Sequence, residues 1–316
     1  MKFFNLRFFF CLMLMVLLIP KKLAAQLQLQ WQPLDSLNAE IPDAVRAFET
    51  NTPLPDGGVF NAQCVRINLN DPQVDVSAVY SKLKKTPQQL ASGAMVAING
   101  GFFGKSINLS TVVNDGKWYS VNVPSVTRSY QGENTAYYPT RGAFGLVNRQ
   151  ADVAWIYHNT TDSLLYEYSL PAPNQQGEAP AAKPSDVYPE GAKIWDADVA
   201  MGGAPVLVTN GKVNVTANAE LIQVNNDKRE PRSAIGYTTA NELLLVVVNG
   251  RQPELSMGIT LPELAQLMVE LGAVEALNLD GGGSSCLVVN GQVISHPSDK
   301  TGPRPVPSAL LVHFTN

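Results

Sequence analysis

The sequence predicts an α+β fold, built on a strand-rich mixed sheet with a few packed helices. Apolar and polar residues alternate from Val65 to Leu69 and again from Val74 to Ala78, and a period of two is typical of half-buried strands. Further short apolar runs are bounded by turn residues. They predict strands at 94–98, 142–147, 152–157, 205–208, 232–237 and 242–248.

One helix carries complete start and stop signals. Thr260 and Glu263 form a capping box, in which each side chain can satisfy a free amide group of the first turn. Apolar residues follow at helical spacing, and Gly272 supplies the left-handed stop. The helix leads into a predicted strand at 274–279, which places Asp280 at the end of that strand.

The domain organisation follows from changes of composition along the chain. Two basic residues precede a twelve-residue apolar run and then small residues, which predicts a secretory signal peptide at 1–25. Residues 26–58 are polar and Pro-rich and predict a leader segment with one short helix near 39–48. The main domain is predicted at 59–316. Its Pro-rich segment 171–192 lacks apolar periodicity and predicts a surface insertion.

Composition excludes some classes of function. The chain has 316 residues, of which 45% are hydrophobic and 16% charged, so it can bury a sizeable core. A net charge of -4 gives no bulk attraction to nucleic acid. Without the signal, Cys64 and Cys286 are the only thiols, and whether they form a disulfide stays open. The three histidines have no spacing suited to zinc.

The most informative motif joins the strand at 274–279 to Asp280, three glycines and two serines. Three consecutive glycines cost conformational entropy, so something must approach this backbone closely. Free amide groups of a glycine turn can bind an anion, and Ser284 and Ser285 add hydroxyl donors. Asp280 is then a candidate nucleophile or acid-base group. The alternative is a tight turn whose aspartate only accepts backbone hydrogen bonds.

Other polar residues also occur at predicted strand ends. Asn99, Gly100 and Gly101 follow a buried strand, which predicts either close approach to a ligand or a bulge. Arg232 opens one strand and Arg251 closely follows the next, and the planar guanidinium group suits bidentate contact with phosphate. A lone arginine in such a position is more often solvated or salt-bridged.

A faint internal repeat links two regions 80 residues apart. Gly202-Gly203 precedes an Asn-Gly pair at 210–211, and Gly282-Gly283 precedes another at 290–291. Asn-Gly between apolar runs is a strong hairpin signal. Both regions are therefore predicted to be a glycine turn followed by a hairpin.

The order of these motifs resembles the phosphodiester glycosidase family over roughly residues 59–315. The stretches that carry the resemblance read PRSAIGY, VVVNGR, GITLPELAQLMVELGAVEALNLDGGGSS and VVNGQVI, with VAINGGFFG and MGGAPVLVTNG upstream. The resemblance implies hydrolysis of the bond between the anomeric carbon of a sugar and a phosphate. The site residues that it implies are Asn99, Gly100, Gly101, Arg232, Asn249, Arg251, Asn278, Asp280, Gly282, Ser284, Ser285 and Arg304.

The sequence-based hypothesis is an exported hydrolase, periplasmic or secreted, that cleaves a glycosyl phosphodiester. Arg232 and Asp280 are its catalytic residues, and Arg232, helped by Arg251, holds the phosphodiester. The alternatives are a serine hydrolase using Ser284 or Ser285 with His296, and a noncatalytic binder of envelope polysaccharide. No cofactor is predicted, and a divalent cation near Asp280 stays open. The expected partner is a sugar-phosphate substrate and not nucleic acid, with membrane contact only through an uncleaved signal.

Overall fold

The structure is a computed structural model that describes residues 27–315, so the predicted signal peptide at 1–25 lies outside the described residues. The strands are β1 (Gln32–Pro33), β2 (Val45–Thr50), β3 (Ala62–Asn68), β4 (Val74–Lys85), β5 (Val96–Asn99), β6 (Val112–Asn114), β7 (Lys117–Ser120), β8 (Val126–Tyr130), β9 (Glu133–Tyr137), β10 (Arg141–Val147) and β11 (Gln150–Asn159). They continue with β12 (Leu164–Tyr168), β13 (Lys193–Ile194), β14 (Val199–Gly202), β15 (Val206–Thr209), β16 (Lys212–Val213), β17 (Arg232–Thr238), β18 (Glu242–Val248), β19 (Ala273–Asn278), β20 (Leu287–Val289), β21 (Gln292–Val293) and β22 (Val306–Phe314). The helices are α1 (Asp35–Asn38), α2 (Pro87–Leu90) and α3 (Leu261–Glu270), with a 3-10 turn at Gly282–Ser284.

The predicted α+β class with a mixed sheet is wrong, because the fold is mostly β. Two of the three helices in the described residues have four residues each, and α3 has ten. Every strand pairing in the same residues is antiparallel. Antiparallel neighbours can be joined by tight turns, whereas parallel strands need long crossovers that are usually helical. The abundance of short turns in this chain therefore leaves little room for helices.

Three large sheets form the body of the described chain. Sheet I has eight strands, in the order β1-β2-β3-β18-β17-β19-β15-β16. Sheet II has seven, in the order β13-β12-β11-β10-β14-β6-β7, and sheet III has five, in the order β21-β20-β5-β22-β4. The hairpin β8-β9 stands apart as a two-stranded sheet.

One central core lies between the three sheets. Ile235 and Leu245 of sheet I, Phe144 of sheet II, and Ile98 and Leu310 of sheet III belong to the same buried cluster. All five side chains are fully buried. Each sheet thus contributes one apolar face to a shared interior, the usual way in which sheets bury their hydrophobic surface.

The outer faces of sheets I and III are covered as well. In β18, Leu245 faces the central core, whereas Leu244 packs in a second cluster with Leu264 and Met268 of α3. A third cluster packs α2 on sheet III through residues such as Leu90. Burial on both faces explains why β18 is an unbroken apolar run rather than an alternating one.

The sequence signals for helix starts are confirmed. Thr260 accepts a hydrogen bond from the Glu263 amide, and the Glu263 side chain accepts one from the Thr260 amide, so the capping box of α3 is complete. Thr86 and Gln89 form the same arrangement at α2. The helix expected near 39–48 is wrong, because Val45–Thr50 forms β2 and pairs with β3 in sheet I.

The remaining sequence expectations concern turns, the insertion and the thiols. All six strands predicted from apolar runs are present, and the segment 171–192 contains no strand or helix. Both Asn-Gly hairpins form, as β15-β16 and β20-β21, with all four turn residues at positive φ. Cys64 and Cys286 are buried, free thiols. None of the helices in residues 27–315 has the length and apolarity that crossing a membrane requires.

Candidate active site

A cleft of about 160 Å³ lies at the converging ends of β5, β17 and β19. Arg232 and Asp280, the two residues on which the sequence hypothesis depends, line the same cleft. The complete lining is Phe102, Val224, Asn225, Glu230, Arg232, Arg251, Asn278, Asp280, Gly281, Gly282, Gly283 and Arg304.

Strand pairing explains why residues distant in sequence meet here. Since β17 runs antiparallel to β19, its first residues lie beside the last residues of β19, with Ala234 opposite Asn278. Beyond the paired strands, the Leu279 amide donates to the Ser233 carbonyl at 2.9 Å and the Gly282 amide to the Pro231 carbonyl at 2.8 Å. The glycine turn therefore continues along the start of β17, next to Arg232.

Asn99 positions the turn instead of presenting an amide to a ligand. Its Nδ2 donates to the Asp280 carbonyl at 2.8 Å and to the Gly100 carbonyl at 3.1 Å. Its Oδ1 accepts from Ser233 Oγ at 2.7 Å and from the Cys286 amide at 3.1 Å. The side chain is fully buried and has used its hydrogen-bonding groups within the protein.

Gly100 and Gly101 allow close packing of the main chain. The Gly100 carbonyl accepts from the Asp280 amide at 3.2 Å, which adds a second link between β5 and the turn. A Cβ at Gly100 would lie 2.9 Å from Met201 Sδ, and one at Gly101 would collide with the Gly202 carbonyl oxygen. Neither glycine lines the cleft. Both allow the close main-chain packing that holds the glycine turn in position.

The carboxyl group of Asp280 is one of two that line the cleft, the other being that of Glu230. Burial raises the pKa of Asp280 from its ordinary value of 3.8 to about 6, because the charged form loses its hydration. The nearby Ser284 hydroxyl, which does not reach hydrogen-bond geometry with the carboxyl, the charge of Arg304 and the Gly281 amide lower the pKa. A carboxyl group with a pKa near 6 is mostly ionised at neutral pH yet can exchange a proton there.

Two arginines lie directly against the glycine turn. Gly282 has a φ of 62°, and a Cβ at that position would lie 3.2 Å from Nη2 of Arg251. A Cβ at Gly283 would collide with the Arg304 guanidinium group. The absence of side chains at Gly282 and Gly283 thus makes room for two cationic groups beside Asp280.

Each of these arginines is oriented by a carboxylate. Arg251 Nε donates to Glu230 at 2.6 Å, and Arg304 donates through Nε and Nη2 to both oxygens of Asp299 at 2.8 and 3.0 Å. The backbone of Arg251 lies in the left-handed region, with a φ of 60°, which is uncommon for a residue other than glycine. Both guanidinium groups keep N–H donors without a hydrogen bond to any described residue. An anion in the cleft could accept from them.

Arg232 lies in the cleft wall, but most of its donors are already used. It is 4% exposed, and burial lowers its pKa to about 10. It donates from Nε to the Ile259 carbonyl, from Nη1 to that of Val224, and from Nη2 to those of Asn225 and Lys228, at 2.8 to 3.3 Å. One of its five N–H groups is left, which does not suffice for the bidentate phosphate contact that the sequence suggested. Arg232 therefore holds the loop at 224–228 in place.

Several buried oxygen atoms around Asp280 have no hydrogen-bond partner among the described residues. Asn278 donates from Nδ2 to the Ala204 carbonyl at 2.7 Å, while its Oδ1 is unpartnered. The Oγ atoms of Ser284 and Ser285 are buried and equally unpartnered. An unsatisfied buried polar atom costs free energy, so a cluster of them indicates a site for a polar ligand or for water.

Asn249 lies outside the cleft. Its Nδ2 donates to the side chains of Asn61 and Gln63, and its Oδ1 accepts from the His296 amide at 2.7 Å. The residue is fully occupied in this buried polar network and supports the start of the loop that carries Arg251. Like Asn99, it has a structural role.

Some residues in the cleft or next to it were not predicted from the sequence. Glu230 and Asp299 orient the two arginines, and Phe102 and Val224 contribute apolar lining. The closeness of Glu230 to Arg232 in the sequence was a weak indication that Glu230 belongs to the site. Nothing in the sequence pairs Asp299 with Arg304. No group of three or more His, Cys, Asp or Glu side chains within residues 27–315 is arranged to hold a metal ion.

Comparisons with known proteins show which family this chain is similar to. A model of the phosphodiester glycosidase family matches residues 92–313. "N-acetylglucosamine-1-phosphodiester alpha-N-acetylglucosaminidase" of Bos taurus is 38% identical over 88 residues, which is 26% of this chain and 16% of that protein. The protein of the same name from Homo sapiens is 38% identical over 88 residues, 26% of this chain and 17% of its own length. The chain therefore matches only about a sixth of the length of these relatives.

Solved structures extend the likeness over most of the chain. The catalytic domain of zebrafish N-acetylglucosamine-1-phosphodiester alpha-N-acetylglucosaminidase, described as auto-inhibited by its pro-peptide, has a TM-score of 0.57 and 19% identity, and covers 90% of this chain and 88% of that one. A hypothetical protein from Synechocystis has a TM-score of 0.58 and 22% identity, with coverage of 92% and 68%. At these identities the two structures show a shared fold. Since the family model covers more than two thirds of the chain, including every strand that reaches the cleft, the chain belongs to the phosphodiester glycosidase family.

Proposed function

We propose that this protein is an exported hydrolase that cleaves the bond between a sugar and the phosphate of a phosphodiester, releasing the sugar and a phosphomonoester. The observation that carries the proposal is the position of the half-buried Asp280 carboxyl beside a glycine turn and two arginines. The names of the curated relatives, which specify an N-acetylglucosamine 1-phosphodiester, support this class of substrate.

The phosphate is held by Arg251 and Arg304 together with the Gly283 amide, since the amides of Gly281 and Gly282 are directed to Asp280 and to the Pro231 carbonyl. Both arginines reach the turn with N–H groups that no described residue uses, and both are held in place by carboxylates. Guanidinium groups fixed in this way bind phosphate oxygens with little loss of side-chain entropy. The unpartnered Oδ1 of Asn278, which lines the cleft, accepts from a hydroxyl group of the sugar, whereas Ser284 and Ser285 lie behind the cleft lining.

Asp280 acts on the water that attacks the anomeric carbon. With a pKa of about 6, its carboxyl is about 90% ionised at pH 7. The carboxylate accepts a proton from the water as the new carbon–oxygen bond forms, and the old bond breaks with its electron pair on the phosphate oxygen. Phosphate is a weakly basic leaving group, so it needs less help from a general acid than a sugar alcohol does.

The test is hydrolysis of a synthetic N-acetylglucosamine 1-phosphodiester by the wild-type protein and by Asp280→Asn. The substitution removes the proton acceptor while keeping the size of the side chain, so kcat should fall by about 10²- to 10⁴-fold. In the wild-type protein, kcat/KM should fall as the pH drops below about 6, where Asp280 becomes protonated. The control is Asp196→Asn, at an exposed carboxylate that forms no hydrogen bond or ion pair within residues 27–315. A folded Asp280→Asn protein of full activity would refute the role of Asp280.

The serine-hydrolase alternative lacks a base. Neither Ser284 Oγ nor Ser285 Oγ forms a hydrogen bond with His296 or with any other described residue, whereas an activated serine needs an adjacent base. A serine-directed fluorophosphonate should leave the protein unlabelled. The noncatalytic alternative, a binder of envelope polysaccharide, predicts saturable glycan binding without turnover. A panel of sugar phosphodiesters, tested with and without a chelator, distinguishes it and also tests for a required cation.

Export is a proposal that the N-terminal sequence supports. The basic residues, the apolar run and the small residues before Gln26 fit a cleaved secretory signal. N-terminal sequencing of the protein recovered outside the cytoplasm should begin near Gln26. A protein that keeps residues 1–25 would instead be anchored by them.

A further inference from the structure

The side chain of Leu83, near the end of β4, projects into solvent. It is 79% exposed, more than any other large apolar side chain in the described residues. The register of β4 with β22 shifts at this point, so that residues 81–84 have no partner in β22. Such a bulge bends a strand and re-aims its side chains, and here it carries Leu83 away from the sheet.

A neighbouring hairpin, at residues 102–109, carries a second exposed apolar side chain. The Leu109 amide donates to the Phe102 carbonyl at 2.9 Å, and the Gly104 amide donates to the Ile107 carbonyl at 2.8 Å. Ile107, at the tip of this hairpin, is 62% exposed. A single exposed aliphatic side chain is ordinary on a protein surface, so its significance depends on what lies beside it.

Lys84 joins the bulge of β4 to this hairpin. Its Nζ donates to the carbonyls of Gly104 and Lys105, at 3.1 Å each, and lies 4.4 Å from the centre of an aromatic ring of the hairpin. Leu83 directly precedes Lys84, and Ile107 closes the turn that contains both carbonyls. The two exposed aliphatic side chains therefore project from joined segments, residues 82–85 and 105–107, which we call the tip patch.

The tip patch is positively charged, although the chain as a whole has a net charge of -4. It contains four exposed lysines, at positions 82, 84, 85 and 105. No aspartate or glutamate occurs in the sequence between Asp75 and Asp115. The ammonium groups of Lys82, Lys85 and Lys105 form no hydrogen bond or ion pair with any residue in 27–315. Three of the four positive charges are thus available to a partner.

Projecting aliphatic side chains among lysines fit the surface of an anionic membrane. Acidic lipid head groups attract the ammonium groups, and the acyl boundary beneath them takes up the aliphatic side chains. A soluble polyanion would bind the lysines but gain little from Leu83 and Ile107. Sites for small molecules are concave, whereas these two side chains protrude. The partner that uses both features is therefore a lipid bilayer with acidic head groups.

The tip patch adjoins the candidate active site on two sides. Its hairpin begins at Phe102, which lines the cleft. Lys85 pairs with Val306, which follows the cleft residue Arg304 by two positions. A membrane that contacts the tip patch therefore lies close to the cleft.

We propose that the tip patch docks the protein on the surface of an anionic membrane, with Leu83 and Ile107 inserted at the head-group boundary. The docking is peripheral and reversible. It adds a second route of membrane contact to the one expected from the sequence, an uncleaved signal. It concerns binding alone, so it stands or falls independently of the hydrolysis proposed above.

The test is sedimentation of the exported protein with vesicles of phosphatidylcholine, with or without phosphatidylglycerol. The wild-type protein should bind the mixed vesicles, and more weakly as the salt concentration rises. In the double variant Leu83→Ser and Ile107→Ser, the partition coefficient should fall by about 10- to 100-fold, because the aliphatic contact is lost. The matched control is Val187→Ser with Leu170→Ser. These side chains are 77% and 66% exposed but lie outside the tip patch, so this control should bind like the wild-type protein.

A second double variant, Lys82→Gln with Lys105→Gln, tests the charge. Its partition coefficient on the mixed vesicles should fall by about 10- to 30-fold at low salt, because two charges near the surface are lost. The loss should shrink at high salt, where the attraction is screened. Lys212→Gln with Lys228→Gln, at two exposed lysines outside the tip patch, is the control for lost charge.

Three results would overturn the docking. The first is failure of the wild-type protein to bind the mixed vesicles, and the second is equal binding by the wild-type protein and both double variants. The third is a loss in the lysine variant alone, which would assign the tip patch to a soluble polyanion. Residues 1–25 are the same in every variant, so a signal that is retained contributes equally to all of them. Since the changed side chains are exposed, each variant should match the wild-type protein in urea denaturation.

Discussion

Two glycine pairs, Gly202-Gly203 and Gly282-Gly283, each lead into an Asn-Gly hairpin, and the two regions are 80 residues apart. Around the first pair, three of the six nearest atoms belong to the main chain and the other three to packed side chains. A Cβ at Gly202 would meet the Thr111 amide, and one at Gly203 would collide with the Asn278 carbonyl oxygen. Around the second pair the contacts are with side chains, namely Arg251 and the ion pair of Arg304.

The difference lies in what the missing side chains make room for. At Gly202-Gly203 two sheets approach each other, so the glycines serve folding. At Gly282-Gly283 the ends of flexible, charged side chains approach the turn, so the glycines serve binding. The same sequence signal therefore predicts close approach in both regions, and only the approaching group separates packing from function.

Alanine at the first pair should have the largest effect on stability. In Gly203→Ala, the new methyl group collides with the Asn278 carbonyl and lies 2.9 Å from Leu277 side-chain carbons, and neither can move without displacing β19. The free energy of unfolding should fall by about 3 kcal/mol, as in overpacked cores. Urea denaturation measures this loss.

Gly283→Ala is the matched variant at the second pair. Its methyl group meets the far ends of Arg304 and Asp299, which can swing toward solvent because both are partly exposed. Stability should change by less than about 1 kcal/mol, while hydrolysis of the sugar phosphodiester should be largely lost with the displaced Arg304. Equal destabilisation by the two alanines would contradict the distinction between the turns.

At high pH, ionised Asp280 lowers the free energy of unfolding. The first glycine region has Ala200 at the equivalent position, which cannot ionise. Since the folded state raises the pKa of Asp280 to about 6, it prefers the protonated form. The penalty is absent below pH 4, grows as the pH rises toward 6 and is complete above it. Asp280→Asn should therefore be about 2 to 3 kcal/mol more stable than the wild-type protein at pH 8.

Measuring the free energies of unfolding of both proteins at pH 8 and at pH 4 tests whether ionisation of Asp280 destabilises the folded state. At pH 4 the two proteins should have similar free energies of unfolding, because Asp280 is then protonated in the folded state. A variant that is less stable than the wild-type protein at pH 8 would show that the charge of Asp280 is compensated by Arg304 rather than strained by burial.

Alanine substitutions in the two hairpins that follow the glycine pairs should have the smallest effect on stability, and the effect should be the same in both hairpins. Asn210 and Asn290 have φ angles of 51° and 48°, in the left-handed region that alanine adopts at a cost. Alanine at either position should lower the free energy of unfolding by about 1 kcal/mol. Diester hydrolysis should stay unchanged in both, since neither asparagine lines the cleft. Unequal losses of stability would indicate that one hairpin has a further role.

The sequence predicts the local elements of this fold better than its class. Capping residues at Thr86 and Thr260 and the Asn-Gly pairs act within a few residues, so they are visible in the chain itself. The class depends on how strands pair across long distances. The segment at 45–50 illustrates this, because only its pairing with β3 makes it a strand.

The sequence predicted the position of the site better than it predicted the role of each residue in it. Strand ends rich in glycine and polar residues located Asp280 and Arg251 in one cleft. The roles of Asn99 and Arg232 depend on hydrogen bonds to carbonyl groups far away in sequence, which no local pattern reveals. Asp299, the partner of Arg304, was missed for the same reason.

The position of β22 has a consequence for how the protein is made. This strand, at residues 306–314, fills the gap between β4 and β5 in the middle of sheet III. Until the ribosome has released these residues, β4 and β5 lack their shared neighbour, and the central core is open on one side. The central core can therefore close only after β22 has been made and has paired with both of these strands.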